Sequence, residues 1–103
     1  MADAYRLQLT SQAGRDVVEL RTCLVEVMRA LLALEQAPLK GHTLTGTLRG
    51  VRSLEFSLPG GAYRAAYLVD DAARVCRVFA VGSHERFYQL VERRYAALQA
   101  RKS

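Results

Sequence analysis

The sequence predicts a small α+β domain: an antiparallel sheet, made of an N-terminal strand and a three-strand meander, with a helix or helix pair after the first strand and a C-terminal helix. Three observations predict this class. Apolar residues recur at three- and four-residue spacing in the first third of the chain, three strand-like segments with short turns follow, and helical spacing returns at the end. The 103 residues fit a single domain spanning 1–103.

The first strand and the helical region differ in their periodicity. Residues 5–10, YRLQLT, alternate as a short strand does, and Ser11 can cap a following helix. A continuous helix over 12–36 would be about 37 Å long at ~1.5 Å per residue, which is long for so small a domain. A break is therefore expected near Gly14 or Thr22. The apolar face of this region is formed by Val17, Leu20, Leu24, Met28, Leu31 and Leu34.

The meander is predicted from three short apolar segments: VRSLEFSL (51–58), AYRAAYLV (62–69) and RVCRVFAV (74–81). A Pro-Gly-Gly turn separates the first two and an Asp-Asp turn the last two, as in antiparallel hairpins.

The two turns also predict which faces the side chains occupy. If Ser57 pairs with Arg64 and Asp70 with Ala73, one face is apolar, includes Ala80 and packs on the helical region. The opposite face is then open and basic, with Glu55 diagonal to Arg64. A slip of one residue would exchange the faces. The apolar set is Leu54, Phe56, Leu58, Tyr63, Ala65, Tyr67, Val69, Cys76, Val78 and Ala80, and the open set is Ser53, Glu55, Ser57, Arg64, Ala66, Arg77 and Phe79.

The segment VGSHERFY (81–88) is predicted to join the last strand to the C-terminal helix. Ser83 is a good N-cap and Glu85 suits the first turn. His84 and Tyr88 would then lie one turn apart on one helix face.

Composition excludes several classes of protein. Cys23 and Cys76 are far apart, without a CxxC motif, so we expect small buried hydrophobic residues, no metal site and no cofactor. No apolar run approaches the ~20 residues that a membrane span needs. The N-terminus, MADAYRLQLT, does not resemble a secretory signal, so a cytoplasmic protein is expected.

Positive charge is concentrated in the second part of the chain. Residues 39–103 carry eleven basic and five acidic side chains, and the whole chain has a net charge of +5. Nine of these basic residues are arginines, whose planar fork suits phosphate. Charge alone leaves two readings open, a surface for a polyanion such as nucleic acid and a solvated surface that keeps the protein soluble.

Arg64, His84, Tyr88 and Glu55 form a candidate site for acid–base chemistry on a polyanion. RNA cleavage by the strand's own 2′-hydroxyl needs a base, an acid and a cation at the phosphate. Histidine suits proton transfer near neutral pH, and arginine suits the phosphate. From spacing alone the ordinary alternative is favoured, in which His84 and Tyr88 are surface residues and Arg64 pairs with Glu55.

Two segments resemble the RelE/ParE superfamily of bacterial toxins: PLKGHTLTGTLRGVRSLEF, and GAYRAAYLVDDAARVCRVFAVGSHERFYQLVERR. The likeness covers about residues 38–95. The family's marks are a Leu-x-Gly element, a Gly-x-Tyr-Arg-x-x-Tyr strand, an Asp-containing turn, Val-Gly, a basic or histidine position and a tyrosine. They correspond to Leu44-Thr45-Gly46 (or Leu48-Arg49-Gly50), Gly61 to Tyr67, Asp70-Asp71, Val81-Gly82, His84 and Tyr88.

The resemblance implies a RelE-like fold and an endoribonuclease that cuts messenger RNA, mostly at the ribosome, and is inhibited by a cognate antitoxin. It implies that Arg64 stabilises the phosphate transition state, with His84 as general acid or base and Tyr88 positioning the substrate. Some members carry two lysines where Glu55 and Ser57 stand here, so either Glu55 or His84 takes over the role of the base, or catalysis is weak. The residues expected to contact RNA are Lys40, Arg49, Arg52, Arg77 and Arg86. The alternatives are a ParE-like toxin that inhibits DNA gyrase and a catalytically decayed relative that binds only antitoxin or RNA.

Overall fold

The computed structural model describes residues 4–85 and 87–102, with the side chain of Lys102 left out. Arg86, predicted to contact RNA, lies outside the described residues. The elements in chain order are β1 (Arg6–Leu9), α1 (Ser11–Glu19), α2 (Leu24–Leu32), β2 (His42–Thr43), β3 (Arg52–Leu58), β4 (Gly61–Asp70), β5 (Val75–Ser83) and α3 (Phe87–Lys102). Short 3₁₀ turns lie at Arg21–Cys23, Ala33–Glu35 and Gly46–Leu48.

Within the described residues the strands form one five-stranded sheet in the order β1-β5-β4-β3-β2. The predicted α+β class and the antiparallel meander β3-β4-β5 are confirmed. The prediction that β1 joins an antiparallel sheet is wrong in direction, since β1 pairs with β5 in parallel. No short turn connects β1 to its neighbour, so no hairpin dictates its direction. The two-residue β2, too short to show alternation, was not predicted.

The predicted break in the helical region is confirmed, and it lies at the Arg21–Cys23 turn, beside Thr22. The N-cap of α1 is Thr10 and not Ser11, because the Thr10 Oγ1 accepts a hydrogen bond from the Ala13 N–H at 3.1 Å. The break lets α1 and α2 both lie against the same face of the sheet, and neither has to extend beyond it.

The sheet is covered on both faces. The first core packs α1 and α2 on one face, as predicted, and includes Leu31, Leu34, Leu54, Ala65, Tyr67, Cys76, Val78 and Val81. The second core lies on the opposite face under α3 and includes Leu48, Val51, Ala66, Phe79, Ala80, Phe87 and Val91. The face predicted to be open is therefore covered in its middle, because α3 lies across it.

The predicted strand register is wrong, although most of the predicted faces are right. Ser57 pairs with Ala62, and Glu55 lies directly opposite Arg64. The second hairpin pairs Asp70 with Val75. Both offsets are two residues, and an offset of two keeps every side chain on its predicted face. Ala80 is the exception: it lies under α3, because a bulge shifts the register between Ala66 and Tyr67.

The prediction that Ser83 caps the C-terminal helix is also wrong. Ser83 is the last residue of β5 and pairs with Tyr63, so the ladder with β4 includes the residue that was predicted to cap the helix. Helix α3 begins at Phe87, and His84 lies in the connection before it, not on the helix with Tyr88. No helix in the described parts of the chain has the length and apolar character that crossing a membrane requires.

Candidate functional site

The candidate site lies at the end of the sheet where β4 begins and β5 ends. Arg64 is the fourth residue of β4, on the face that α3 covers. Its neighbours in the sheet are Glu55 on β3 and Gly82 on β5. A carboxylate therefore stands on one side of the arginine, and a residue without a side chain stands on the other.

Tyr88, in the first turn of α3, holds the guanidinium of Arg64. The Arg64 Nη1 donates a hydrogen bond to the Tyr88 hydroxyl, and the guanidinium carbon lies 5.5 Å from the centre of the Tyr88 ring. Tyr88 stays 39% exposed. Its ring packs edge-on against Phe87, which is buried in the second core. The tyrosine is thus packed against the core through its ring, although the residue as a whole stays partly open to solvent.

Glu55 forms the second contact of Arg64. The distance from Arg64 Nη2 to the Glu55 Oε2 is 3.5 Å, and the Glu55 side chain is 53% exposed whereas that of Arg64 is 19% exposed. A contact so long and so open to water contributes little to stability. An anion entering from solvent can therefore take the place of the Glu55 carboxylate at the guanidinium.

The Nε of Arg64 is a buried donor that has no hydrogen-bond partner in the described part of the chain. A buried donor without an acceptor costs about 1–3 kcal/mol. The Nε and Nη2 of a guanidinium together form the edge that binds an oxyanion with two hydrogen bonds. In Arg64 this edge has one vacant donor and one weakly occupied donor.

His84 lies two residues beyond Gly82, the sheet neighbour of Arg64, in the connection from β5 to α3. It is exposed, and its imidazole has no hydrogen bond or ion pair within residues 4–85 and 87–102. The structure thus places His84 at the same end of the sheet as Arg64 and Tyr88, on a segment of the chain between them.

The other predicted RNA contacts do not gather at this site. Arg52 pairs with Tyr67, so its side chain lies on the α1/α2 face, where its Nη2 donates to the Leu39 carbonyl at 3.1 Å. Lys40 follows Leu39 in the loop before β2, and it is exposed. Both therefore lie away from the face that carries Arg64.

Arg49 and Arg77 lie on the α3 side of the sheet but near the other end of it. Arg77 is opposite Leu68, four residues from Arg64 along β4, or about 13 Å at ~3.3 Å per residue. Its guanidinium donates to the Gln8 side chain at 3.3 and 3.4 Å. The carbonyl of the exposed Arg49 accepts a hydrogen bond from Tyr95 in the second half of α3.

The geometry therefore joins Arg64, Tyr88 and Glu55, with His84 close along the chain. Such a group can bind a phosphate at the guanidinium, accept a proton at a carboxylate and exchange one at an imidazole. No group of three or more His, Cys, Asp or Glu side chains in the described residues could hold a metal ion.

Sequence reasoning missed Gly82 as part of the site. A glycine beside Arg64 is visible only when the register is known, and the bulge in β5 determines that register. The signal was present as the Val-Gly pair that ends the last strand, but it could not be assigned to a face.

Known structures resemble this chain over most of its length. A chain of the RelBE2 toxin–antitoxin complex of Mycobacterium tuberculosis is 26% identical, with a TM-score of 0.70 over 79% of this chain and 99% of that one. A chain of the intact Escherichia coli RelBE complex is also 26% identical, with a TM-score of 0.64 over 81% and 100%. A mutant E. coli RelE toxin in the free state, 24% identical, has the same fold, with a TM-score of 0.67 over 86% and 93%.

No curated protein matches the sequence. The profile of a toxin family, described as "ParE-like toxin of type II bacterial toxin-antitoxin system", matches residues 9–92. This range contains both helices of the first core, the whole sheet except most of β1, and the Arg64–Tyr88–Glu55 group. The chain is therefore a member of the ParE-like toxin family of type II bacterial toxin–antitoxin systems, within the RelE/ParE superfamily.

Proposed function

We propose that this toxin is a metal-independent endoribonuclease that cleaves messenger RNA by attack of the RNA's own 2′-hydroxyl. The observation that carries the proposal is the state of Arg64. Its guanidinium is held by Tyr88, has one buried donor without an acceptor in the described residues, and has one donor weakly engaged by an exposed carboxylate. This is a preorganised arrangement for a phosphate whose negative charge grows in the transition state.

The proposed reaction assigns one role to each side chain. Glu55 takes the proton of the 2′-hydroxyl, the 2′-oxygen bonds to phosphorus, and the bond from phosphorus to the 5′-oxygen breaks. His84 gives a proton to that 5′-oxygen, so the products are a 2′,3′-cyclic phosphate and a 5′-hydroxyl end. Arg64 stabilises the phosphorane oxygens, and Tyr88 keeps Arg64 in place and positions the substrate. The reverse assignment, with His84 as the base, uses the same atoms.

The first experiment expresses the wild type, Arg64→Ala and His84→Ala in a host without antitoxin and maps new 5′-hydroxyl RNA ends. Ser57→Ala, on the same sheet face as Glu55, is the matched control and should behave as the wild type. Loss of one oxyanion-stabilising group lowers kcat by about 10²–10³-fold, so Arg64→Ala should yield almost no ends. Equal growth arrest by all variants, without new ends, would refute the proposal.

A second experiment separates acid from base. A substrate with a sulfur in place of the 5′-oxygen has a leaving group that needs no proton. This substrate should restore cleavage by His84→Ala but not by Glu55→Gln if His84 is the acid. Cleavage restored in Glu55→Gln alone would exchange the two roles. Assays with and without added ribosomes test whether cleavage of mRNA takes place at the ribosome.

Inhibition of DNA gyrase is the second candidate function. The family match is to ParE-like toxins, and Glu55 and Ser57 occupy the positions where some RelE-like members have lysines. A ParE-like toxin would produce gyrase-trapped DNA breaks in expressing cells, and those breaks would persist in Arg64→Ala and His84→Ala. A decayed relative would give neither DNA breaks nor RNA ends and would still bind an antitoxin.

We also propose that the chain binds a cognate antitoxin protein, because two of the structures it resembles are toxin–antitoxin complexes. Co-expression with the product of the adjacent reading frame should yield a complex that copurifies and should relieve growth arrest. Relief without a complex would contradict direct binding. Cytoplasmic localisation remains an expectation, and fractionation of expressing cells tests it.

A further inference from the structure

The bulge in β5 determines what lies beside Arg64. From Asp70↔Val75 to Tyr67↔Val78 the β4–β5 register is regular, and then Ala66 pairs with Ala80, which leaves Phe79 as the extra residue. Continuing the first register without this residue would place Val81 opposite Arg64. With the bulge, Gly82 takes that position, and the Val81 side chain points into the core under α1 and α2.

At the bulge, the backbone groups on the outer edge of β5 form hydrogen bonds with two side chains, because no strand lies beside them there. The pairing with β1 ends at Leu9↔Val78, and the Thr10 N–H then donates to the Val78 carbonyl at 2.9 Å. Beyond this point β1 has given way to α1. Buried backbone groups still require partners, and the next groups along this edge are the Phe79 carbonyl and the Val81 N–H.

Asp16 from α1 and Arg94 from α3 supply these partners. The Asp16 Oδ2 accepts from the Val81 N–H at 2.9 Å, and the Arg94 Nη1 donates to the Phe79 carbonyl at 3.0 Å. The two side chains bind each other through two contacts, at 2.6 and 3.1 Å, and are 15% and 14% exposed. This pair therefore holds the two residues that flank Ala80, on both sides of the shift in register.

The same pair fixes α3 relative to the strand. Tyr95, next to Arg94, stacks on the bulged Phe79 with ring centres 6.1 Å apart. Tyr88 lies six residues before Arg94, or about 9 Å along the helix at ~1.5 Å per residue. The position of Tyr88 over Arg64 thus depends on where Arg94 anchors α3 on β5.

We propose that Asp16 and Arg94 are positioning residues for the candidate site. By holding the bulge they keep Gly82 opposite Arg64, and by anchoring α3 they keep Tyr88 on the guanidinium. The expected effect on kcat rests on the proposed endoribonuclease function, whereas the expected effect on the strand register does not. Neither residue contacts Arg64, so their effect on cleavage is transmitted through the register of β5 and the placement of α3.

The test compares Asp16→Ala with Asp16→Asn. Both variants remove the same charge and so remove the ion pair with Arg94, but only the asparagine keeps an oxygen that can accept from the Val81 N–H. NMR cross-strand contacts of Arg64 should remain with Gly82 in Asp16→Asn and should weaken or move to Val81 in Asp16→Ala. A misplacement of about 1 Å can cost ~10²-fold, so kcat should fall by about that factor in Asp16→Ala with KM nearly unchanged.

A double variant, Asp16→Leu with Arg94→Met, guards against misfolding of Asp16→Ala. Replacing a buried ion pair by apolar residues is often neutral or stabilising. With no charge left unpaired, the double variant should lose less stability than Asp16→Ala, and yet it should lose the Arg64–Gly82 contacts and most of kcat. Val27→Ala, in the first core and away from the bulge, is the control for general destabilisation and should keep the wild-type kcat once folded.

Three results would overturn the inference: equal loss in Asp16→Asn and Asp16→Ala, wild-type kcat in the double variant, or unchanged Arg64–Gly82 contacts in Asp16→Ala. Failure of the proposed function looks different. The wild type would then cleave no RNA, and the NMR comparison alone would decide whether Asp16 and Arg94 hold the bulge.

Discussion

Tyr67→Phe should destabilise the protein strongly, because a single hydroxyl anchors the loop that leads into β2. Tyr67 is fully buried in the first core. Its hydroxyl donates to the Pro38 carbonyl at 2.8 Å and accepts from the Gly41 N–H at 2.9 Å. The space around Gly41 is equally closed, since a Cβ there would lie 2.8 Å from both the Ser53 carbonyl oxygen and the Tyr67 hydroxyl oxygen.

The expected loss of stability in Tyr67→Phe follows from these two hydrogen bonds. Phenylalanine keeps the ring but leaves the Gly41 N–H buried without an acceptor, which costs about 1–3 kcal/mol. The lost bond to Pro38 adds roughly 0.5–1.5 kcal/mol. We expect the free energy of unfolding to fall by about 3 kcal/mol, and Tm by about 12 °C at ~4 °C per kcal/mol.

Urea unfolding followed by circular dichroism measures this change. Tyr63→Phe is the matched control, because Tyr63 lies on the same strand and face and its hydroxyl has no hydrogen-bond partner among the described residues. A loss below about 0.5 kcal/mol in Tyr67→Phe, or a loss as large in the control, would refute the reasoning, since surface-like changes stay within that range.

The same residue predicts a pH dependence. Burial raises the pKa of the Tyr67 phenol above its usual 10.0, although the Gly41 N–H and Arg52 partly offset the effect. Because the pKa of the phenol is higher in the folded state than in the unfolded state, the phenol contributes stability. This contribution is complete below about pH 10 and is lost as the pH rises through the folded-state pKa. The difference in stability between the wild type and Tyr67→Phe should therefore shrink above pH 10. A difference that stays constant to pH 12 would contradict the raised pKa of this residue.

Two further predictions concern the helical layer and the thiols. Thr10→Ala should lower the free energy of unfolding by about 1 kcal/mol through loss of the α1 N-cap, whereas Ser11→Ala should change it by less than about 0.5 kcal/mol in the same urea assay. Equal losses of stability in Thr10→Ala and Ser11→Ala would mean that Thr10 is not the N-cap of α1. A thiol reagent should modify Cys23, which is partly exposed, well before Cys76, which is buried and whose thiol pKa is raised by burial. Simultaneous labelling of both would mean that the first core opens readily.

The sequence was sufficient for the parts of the fold that depend on periodicity. Spacing of three and four residues identified the helical region, and the mismatch between its length and the domain's size predicted a break near Gly14 or Thr22, of which the structure has the one at Thr22. Alternation assigned strand faces correctly except at Ala80, even though both hairpin registers were wrong, because errors of two residues preserve the faces. The same alternation already separates Arg52 from Glu55, since residues three positions apart on a strand lie on opposite faces of the sheet.

Local signals failed where tertiary pairing overrode them. Ser83 and Glu85 form a good helix start in isolation, but pairing of Ser83 with Tyr63 extends β5 and delays the helix to Phe87. The direction of β1 was wrong for a related reason. A strand without a tight turn takes its direction from packing across the domain, which no local pattern encodes.

The candidate site combines both kinds of information. Arg64, Glu55 and Tyr88 each stand in recognisable segments, so a pattern could nominate them. The position of Gly82 beside Arg64 depends on an extra residue in β5, and the proposed placement of Tyr88 on Arg64 depends on an ion pair between residues 16 and 94, which are far apart in the sequence. A bulge changes which face every later residue of a strand occupies, and in β5 this change is hidden in the sequence because residues 78–81 are all apolar. Arg64, Glu55 and Tyr88 can therefore each be nominated from a short stretch of sequence, whereas the placement of Tyr88 on Arg64 depends on residues from both ends of the chain.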